Sequence, residues 1–590
     1  MKFNKYAKSL EKIEEASGRI VMTDYLVEVL KSLKGEEVKP AMYLLLGRVV
    51  PKFVSLEFNV ARKLIIRALH KAFDKDISEI RDKFQDLGDL GLVAEKYNAS
   101  KRSSLELKDV YKSLYDIAVL EGKGSQEAKI KGIAKLLKRS DAISSKYIVR
   151  IIIGKLRLGL SDKTVLDALS ILAVGDKSKR KLLDKAYGSR GDIGYIAEIA
   201  LDKGISKLED IKITTGIPVA SMLCEREKSE EKIFERSKEW FIQPKYDGLR
   251  CQVHYDKNCF KVIKKSKASQ FKFLGNATED TRIFSRNQEN LTDMFPDIKK
   301  SIKDMGIDSI ILDGEAVGYN EKEDKFIPFQ KTIQRKRKYN VRKMLNEIPV
   351  KLYAFDLLYI NGKDFSERSL KERIQKLKEL FVNSEKQDVI KFTETFLIKS
   401  GEDLKVKFKN YVEKGLEGVV FKLPDSRYEP GKRGFDWIKL KKSTKGYLVD
   451  SIDAVVLGYY HGRGVRAKFG IGAILVGIYN KKKGMFESIA KVGTGIKDKE
   501  WGIIKKKLDK LEVKSKPKNV RVKKELKPDI WVNPEVVVVV DADEVTKSSN
   551  HTAGVKKGKG YSLRFPRLIE FDRKDKTAFN ITTVKEITKL

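Results

Sequence analysis

The chain has 590 residues, a length that divides into about three or four ordinary domains rather than one. Apolar residues make up 41% of it, enough for packed cores, which excludes a disordered chain. Lys+Arg 122 against Asp+Glu 83 leaves +39, a surplus that favours a polyanionic partner, nucleic acid or an anionic membrane surface. Three cysteines (Cys224, Cys251, Cys259) without a CxxC pair exclude a disulfide framework and a four-cysteine zinc module, and fit a reducing compartment. Four scattered histidines (His70, His254, His461, His551) argue against a His-based metal site or a Ser-His-Asp hydrolase. The first residues are charged, without the apolar stretch of a signal peptide, and no run reaches the roughly 18 apolar residues of a membrane span. A soluble, intracellular, basic protein is expected.

In chain order, residues 1 to about 225 read as helix after helix. Apolar residues recur at three- and four-residue spacing, as in Tyr25–Leu33 and Ala61–Phe73. From about residue 240 the texture is α+β: short β-rich runs (Cys251–Tyr255, Ser309–Leu312, Lys351–Gly362, Glu417–Leu423) around a helical stretch, Leu370–Phe381. Beyond Trp437–Gly446, the runs Asp453–Tyr460, Gly472–Asn480 and Glu535–Val545 with Gly-rich turns predict a small barrel. The basic stretch Ile503–Lys527 reads as a solvated helix plus loop, with a phosphate-tracking surface as the alternative.

Chemistry concentrates in the middle region. Phe241–Arg250 places Lys245 just after a strand, followed by Tyr246, Asp247 and Gly248. A lysine amine becomes a nucleophile when neighbouring cations or desolvation lower its pKa, and a glycine beside it lets backbone approach a phosphate. Further on stand Arg286, Glu315 at the end of a strand, Phe355 within one, Glu417, Lys422, Arg433, Lys439 and Lys441. Each alone reads as solvated surface or core. Together they supply a nucleophile, two carboxylates for a divalent cation, a base-stacking aromatic and phosphate-binding cations, an inventory that suits nucleotidyl transfer.

The ordered segments Lys245–Gly248, Leu312–Glu315, Tyr353–Asp356, Glu417–Lys422, Trp437–Lys441 and Arg573–Lys576 resemble the motifs of covalent nucleotidyltransferases. Ile151–Leu169, Gly216–Glu225 and Leu563–Lys576 resemble, more narrowly, the ATP-dependent DNA ligases of archaea and eukaryotes. That resemblance implies a multidomain chain: an all-α DNA-binding domain over 1–225, an α+β nucleotidyltransferase (ATP-grasp-like adenylation) domain over 226–443, and a β-barrel OB-fold domain over 444–590. It implies Lys245 as the nucleophile that forms lysyl-AMP, and Arg250 and Arg286 on ribose or phosphate. Glu315 would hold the ribose hydroxyl or, with Glu417, Mg²⁺; Phe355 would stack on adenine, and Arg433, Lys439 and Lys441 would grip phosphates. Nearby Arg and Lys charges and the metal are expected to depress the Lys245 pKa. Arg573, Asp575 and Lys576 would orient pyrophosphate, with a flexible joint near Ser443–Gly446.

Lys155, Arg157 and Gly159 lie in a glycine-flanked loop before a helix capped by Ser161 or Asp162, a place for a DNA phosphate. The resemblance further implies ATP and Mg²⁺, nicked duplex DNA and a sliding clamp as partners, a monomer, and a cytoplasmic, nucleoid-associated enzyme of DNA replication, repair and recombination. An RNA ligase, a capping enzyme or a non-catalytic nick-binding scaffold are the rivals, and the filled nucleophile, metal and phosphate positions argue against the scaffold. One departure stands out: Gln243 occupies the place of the family's usual glutamate two residues before the nucleophile. A glutamate can only accept, whereas an amide can accept or donate. Purine choice is therefore relaxed unless neighbours lock the amide as an acceptor.

Overall fold

Among the described residues, twelve α-helices follow one another between Phe3 and Asp202. The first shows the pattern: Phe3, Tyr6, Ala7, Leu10 and Ile13 of the helix Phe3–Glu15 repeat at helical spacing and are all buried. Charges that enter this core find partners, a carbonyl for Lys129 and carboxylates for Lys146 and Arg150. Arg150 meets Asp89 at 2.8 Å and Glu14 at 2.6 Å, and Lys146 meets Glu11 at 3.2 Å. The computed structural model describes residues 1–227, 230–258, 260, 279–336, 341–382, 388–441, 451–462, 464–542 and 544–588. The expected joint at Ser443–Gly446 lies outside the described residues. The chain divides into two units, Met1–Leu440 and Lys441–Leu590.

The first unit continues from the helices into two sheets. In chain order the strands are β1 (Leu223–Arg226), β2 (Trp240–Lys245), β3 (Leu249–Asp256), β4 (Thr281–Ser285), β5 (Ser309–Asn320) and β6 (Lys325–Phe326). They continue as β7 (Val350–Ile360), β8 (Lys363–Asp364), β9 (Ile390–Phe392), β10 (Phe396–Ile398), β11 (Gly418–Lys422) and β12 (Arg433–Lys441). One sheet has the order β1-β12-β11-β2-β10; the other runs β4-β3-β5-β7-β8, with β6 on β5 and β9 on β7. The first sheet thus begins at Leu223, within the family-like segment Gly216–Glu225. Each sheet buries one apolar face: Trp240, Ile242, Val419, Phe421, Ile438 and Leu440 with the helix Gly401–Glu413, and Cys251, Val253, Ile310, Leu312, Leu352 and Ala354 with the helices Pro296–Lys303 and Leu370–Val382.

The helical region packs directly on this part of the unit. Phe53 meets Phe284 edge-on at 6.4 Å, and the Ala220 amide donates to the Gly188 carbonyl at 2.7 Å. A Cβ on Gly188 would stand 2.7 Å from Pro430, so only glycine permits this approach.

In the second unit, Ile452–Tyr460 pairs with Ala473–Asn480 and with Val537–Asp541, and the sheet extends to Met485–Val492 and Arg567–Phe571. Its long strands are buried on both faces: Ile452, Ala454 and Val456 in one core, Val455 and Leu457 in the other. The basic stretch differs from the expected solvated helix. The helix Asp498–Asp509 buries Trp501, Ile504 and Leu508 in the core of the second unit, while Lys506 is exposed.

The pair Asp356–Arg373 is fully buried, at 2.7 Å, and Arg373 also donates to the carbonyls of Arg368 and Ser426. Asp356→Ala strands this guanidinium without a counter-charge and is expected to cost about 3–5 kcal/mol. Hydrogen exchange across Val350–Ile360 in rising urea will register that loss; unchanged protection would contradict it.

Candidate active site

Period-two alternation sends one set of side chains out of each core and toward the other sheet. With Trp240 and Ile242 buried in the first core, Phe241, Gln243 and Lys245 take the opposite face of β2. Register then places Gly418 opposite Lys245, Val420 opposite Gln243 and Lys422 opposite Phe241. In the second sheet Arg250, Asp313, Glu315 and Tyr353 take the face away from the core, with Arg250 opposite Glu315 and Glu315 opposite Tyr353. Ile311, Leu358, Tyr428 and Trp437 join the two faces in one small apolar cluster.

Lys245 is the last residue of β2, and its ammonium contacts the Glu417 carboxylate. The Glu417 amide also donates to the Lys245 carbonyl at 3.0 Å, so backbone and side chain hold the same pair. Burial works to lower the Lys245 pKa, but Glu417, and behind it Glu315, outweigh burial and hold it above the ordinary lysine value. This corrects the expectation of depression by neighbouring cations: the charges that face Lys245 are carboxylates. Glu315 lies in mid-strand, not at a strand end, and burial pushes its carboxyl up to about 7 against the pull of Lys245 and Arg250. Gly248 also differs from its reading. A Cβ there would meet the Ala316 carbonyl oxygen at 2.4 Å, so glycine serves the approach of two strands.

Phe355 sits at a bulge. Asp313 pairs with Asp356 and Gly314 with Ala354, leaving Phe355 as the extra residue and turning its ring off the regular ladder. Trp437 meets that ring edge-on at 6.2 Å, Lys422 stands 4.5 Å from its centre and Arg250 5.2 Å. Burial pushes the Lys422 pKa down to about 8, and its ammonium donates to the Phe355 carbonyl at 3.3 Å. Gln243 donates through Nε2 to the same carbonyl at 3.3 Å and to Thr395 Oγ1 at 3.0 Å.

Arg250 is held by a bidentate pair to Asp313, 3.0 and 2.6 Å, and by the Met222 carbonyl at 2.8 Å. Tyr428 donates to Asp313 at 2.8 Å, completing a buried network that the motif spacing did not reveal. Arg286 is exposed, one residue past Ser285, which pairs with Cys251 beside Arg250. β12 bulges against β1: Arg433 pairs with Leu223, yet Ile438 and Lys439 pair with Glu225 and Arg226, bringing Arg433 nearer to Lys439 than a regular strand would. Lys439 and Lys441 are half-buried on β12.

Elsewhere in the first unit, Lys155, Arg157 and Gly159 are exposed while Leu156 and Leu158 are buried, so the three share the outer side of one loop. Arg157 adopts φ 63 and its guanidinium is engaged, 2.9 Å from the Gly88 carbonyl and 3.2 Å from Asp89. Ser161, not Asp162, is the N-cap of the helix that follows, closing a capping box with Thr164. In the second unit Arg573 reaches Asp453 at 2.8 Å and Asp575 at 2.7 Å, and Lys576 contacts Asp453 as well. Asp453, Thr395 and Tyr428 lie outside every motif and carry no sequence signal.

The chain matches the family models described as DNA ligase N terminus over residues 2–170, ATP dependent DNA ligase domain over 273–441 and ATP dependent DNA ligase C terminal region over 467–576. The chain belongs to the ATP-dependent DNA ligase family. It is 40% identical to a "Probable DNA ligase" of Dictyoglomus turgidum, across 100% of this chain and 97% of that one. It is 35% identical to the DNA ligase of Nitrosopumilus maritimus, across 100% and 98%. The solved structure Pmar-Lig_PreS3 shares the fold with a TM-score of 0.55, at 17% identity over 96% of this chain and 99% of that one. Membership implies the sealing of nicks with ATP. It agrees with a helical N-terminal region followed by nucleotidyltransferase and OB-like parts. No helix among the described residues is long and apolar enough to cross a membrane.

The Lys245–Glu417 contact makes the ligase's lysine a test of the electrostatics. In Glu417→Gln, burial remains and the main opposing charge is gone, so the Lys245 pKa should fall. Acylation of the peptide containing Lys245, followed by mass spectrometry through the alkaline range, should then reach half-maximum at lower pH than in wild type. A midpoint that stays or rises would overturn the role of Glu417.

Proposed function

We propose that this ligase forms lysyl-AMP at Lys245, passes AMP to the 5′-phosphate of a nick in duplex DNA, and releases it when the 3′-hydroxyl attacks. The observation that carries this reading is Lys245 paired with Glu417 beside the half-buried Glu315, on the sheet face that also carries the Phe355 bulge. The Lys245 Nζ sheds a proton, bonds to the α-phosphorus of ATP, and pyrophosphate leaves with the electrons of the broken P–O bond. Phe355 offers its ring to adenine and Gln243 a polar group to the edge of the base; Arg250, already fixed by Asp313, flanks the ring. Arg286, Arg433, Lys439 and Lys441 neutralise ribose-phosphate and triphosphate charge.

The donor set suits Mg²⁺, which takes one or two carboxylates and completes its shell with water and substrate phosphates. Glu315 and Glu417 are the residues that would hold it, and bound there it would supply charge neutralisation at the reacting phosphate. Arg573 and Lys576, held by Asp453, and Asp575, held by Arg573, act on pyrophosphate in the first step. We assign residues 1–225 to DNA binding, 226–443 to adenylation and 444–590 to an OB-fold domain, with Lys155, Arg157 and Gly159 on a DNA phosphate. A monomeric, cytoplasmic enzyme that meets a sliding clamp on DNA completes the reading.

Lys245→Ala should abolish label transfer from α-labelled ATP to the denatured chain, while closure of a nick already carrying 5′-AMP survives in part. A variant that still becomes labelled would remove Lys245 from its role. The +39 charge predicts that nick affinity falls with salt by about 0.9 in log K per log[salt] for each phosphate neutralised. Deleting residues 1–225 should flatten that slope and weaken nick binding far more than adenylation; equal loss of both would contradict the assignment.

A further inference from the structure

Gln243 is buried, and both hydrogens of its amide nitrogen are spent inside the protein. One goes to the Phe355 carbonyl, which can only accept. The other goes to Thr395 Oγ1, 3.0 Å away. The Thr395 hydroxyl donates its own proton to the Thr393 carbonyl at 3.0 Å, so toward Gln243 it too can only accept. The segment is anchored: the Thr393 amide donates to the Ala354 carbonyl at 2.9 Å, and Phe396 pairs with Ile242, which sets Thr395 beside Gln243. Turning the amide over would set Oε1 against the Phe355 carbonyl oxygen with no proton between them, and would leave the Thr395 hydroxyl to meet it only by giving up the Thr393 carbonyl. Gln243 Oε1 has no partner among the described residues and is left on the face it shares with Lys245.

We propose that Thr395 is a positioning residue that locks the Gln243 amide with its oxygen toward the nucleotide, so that the ligase selects ATP over GTP. The proposal rests on the adenylation reading above, in which a base lies on Phe355 with its phosphates toward Lys245. Its edge then meets Gln243, two residues before the nucleophile on the same strand face. A fixed acceptor there matches the 6-amino group of adenine, a donor, and opposes the 6-oxo group of guanine, an acceptor. Rejection of the wrong base comes from that opposition, and it holds only while the amide cannot turn. The relaxed purine choice that the Glu-to-Gln departure permits is thereby blocked by a hydroxyl some 150 residues away in the sequence, between Gln243 and Thr395.

The test uses the full chain with Mg²⁺ and either ATP or GTP labelled on the α-phosphate, scoring label retained on the denatured protein. Wild type should take ATP in strong preference. Thr395→Val, which keeps the volume and deletes the hydroxyl, should lose about fivefold to tenfold of the ATP/GTP ratio, mainly by faster labelling from GTP. Thr395→Ser, which keeps the hydroxyl, should retain the ratio, an outcome that a packing role for the methyl group would not give. Two results overturn the lock: a Thr395→Val protein labelled by ATP with an unchanged ratio, or a wild type that accepts GTP as readily as ATP. The second needs no variant and stands even if Thr395→Val fails to fold. Absence of labelling by either nucleotide in wild type defeats the adenylation reading itself and the lock with it, and is distinguished by the missing ATP signal.

Discussion

The contact between Lys245 and Glu417 is the interaction around which the first unit is arranged. It exists because β2 and β11 are antiparallel neighbours in a register that sets Gly418 against Lys245, which delivers the preceding glutamate to the ammonium. That register in turn is held by the apolar face: Trp240 packs edge-on against Phe421 at 6.0 Å. A one-residue slip would turn Gln243 and Lys245 into the core and Ile242 toward the nucleotide face, so the chemistry of the site is protected by the packing behind it. The carboxylates hold the lysine's pKa above its ordinary value against the effect of burial, so the ammonium stays charged beside them.

The second sheet meets this arrangement through irregularities as much as through its regular ladder. The bulge at Phe355 turns one ring out, and its carbonyl gathers both Lys422 and Gln243. Asp356, the next residue, is clamped by Arg373, so the bulge is fixed from behind by a buried ion pair. Arg250 is fixed in the same way by Asp313 and Tyr428. Buried charges of this kind add little net stability, but they leave each side chain one position in which its hydrogen bonds are met. The Gln243 amide, donating to Phe355 and Thr395, is held in the same manner.

Much of this was legible in the residues. Charge pointed to a polyanionic partner, nucleic acid or an anionic membrane surface, while helical spacing pointed to the all-α first region and alternating runs to strands around Lys245, Phe355 and Lys422, because the spacing features are local and repeat with the period of the element they form. The motif residues named Lys245, Glu315, Glu417 and Phe355 as a group, since nucleotidyl transfer demands those types of side chain together. Tertiary structure alone decided which charges face which. No spacing tells that the neighbours of Lys245 are carboxylates and not cations, that Glu315 lies half-buried in mid-strand, or that Gly248 serves strand packing. Nor does sequence tell which way the Gln243 amide points, because its orientation depends on Thr395 and Phe355, residues brought beside it only by the pairing of β10 with β2 and the meeting of the two sheets. Local pattern determines elements and inventory; the protonation and direction of a polar group are set by whatever the fold places within hydrogen-bond reach of it.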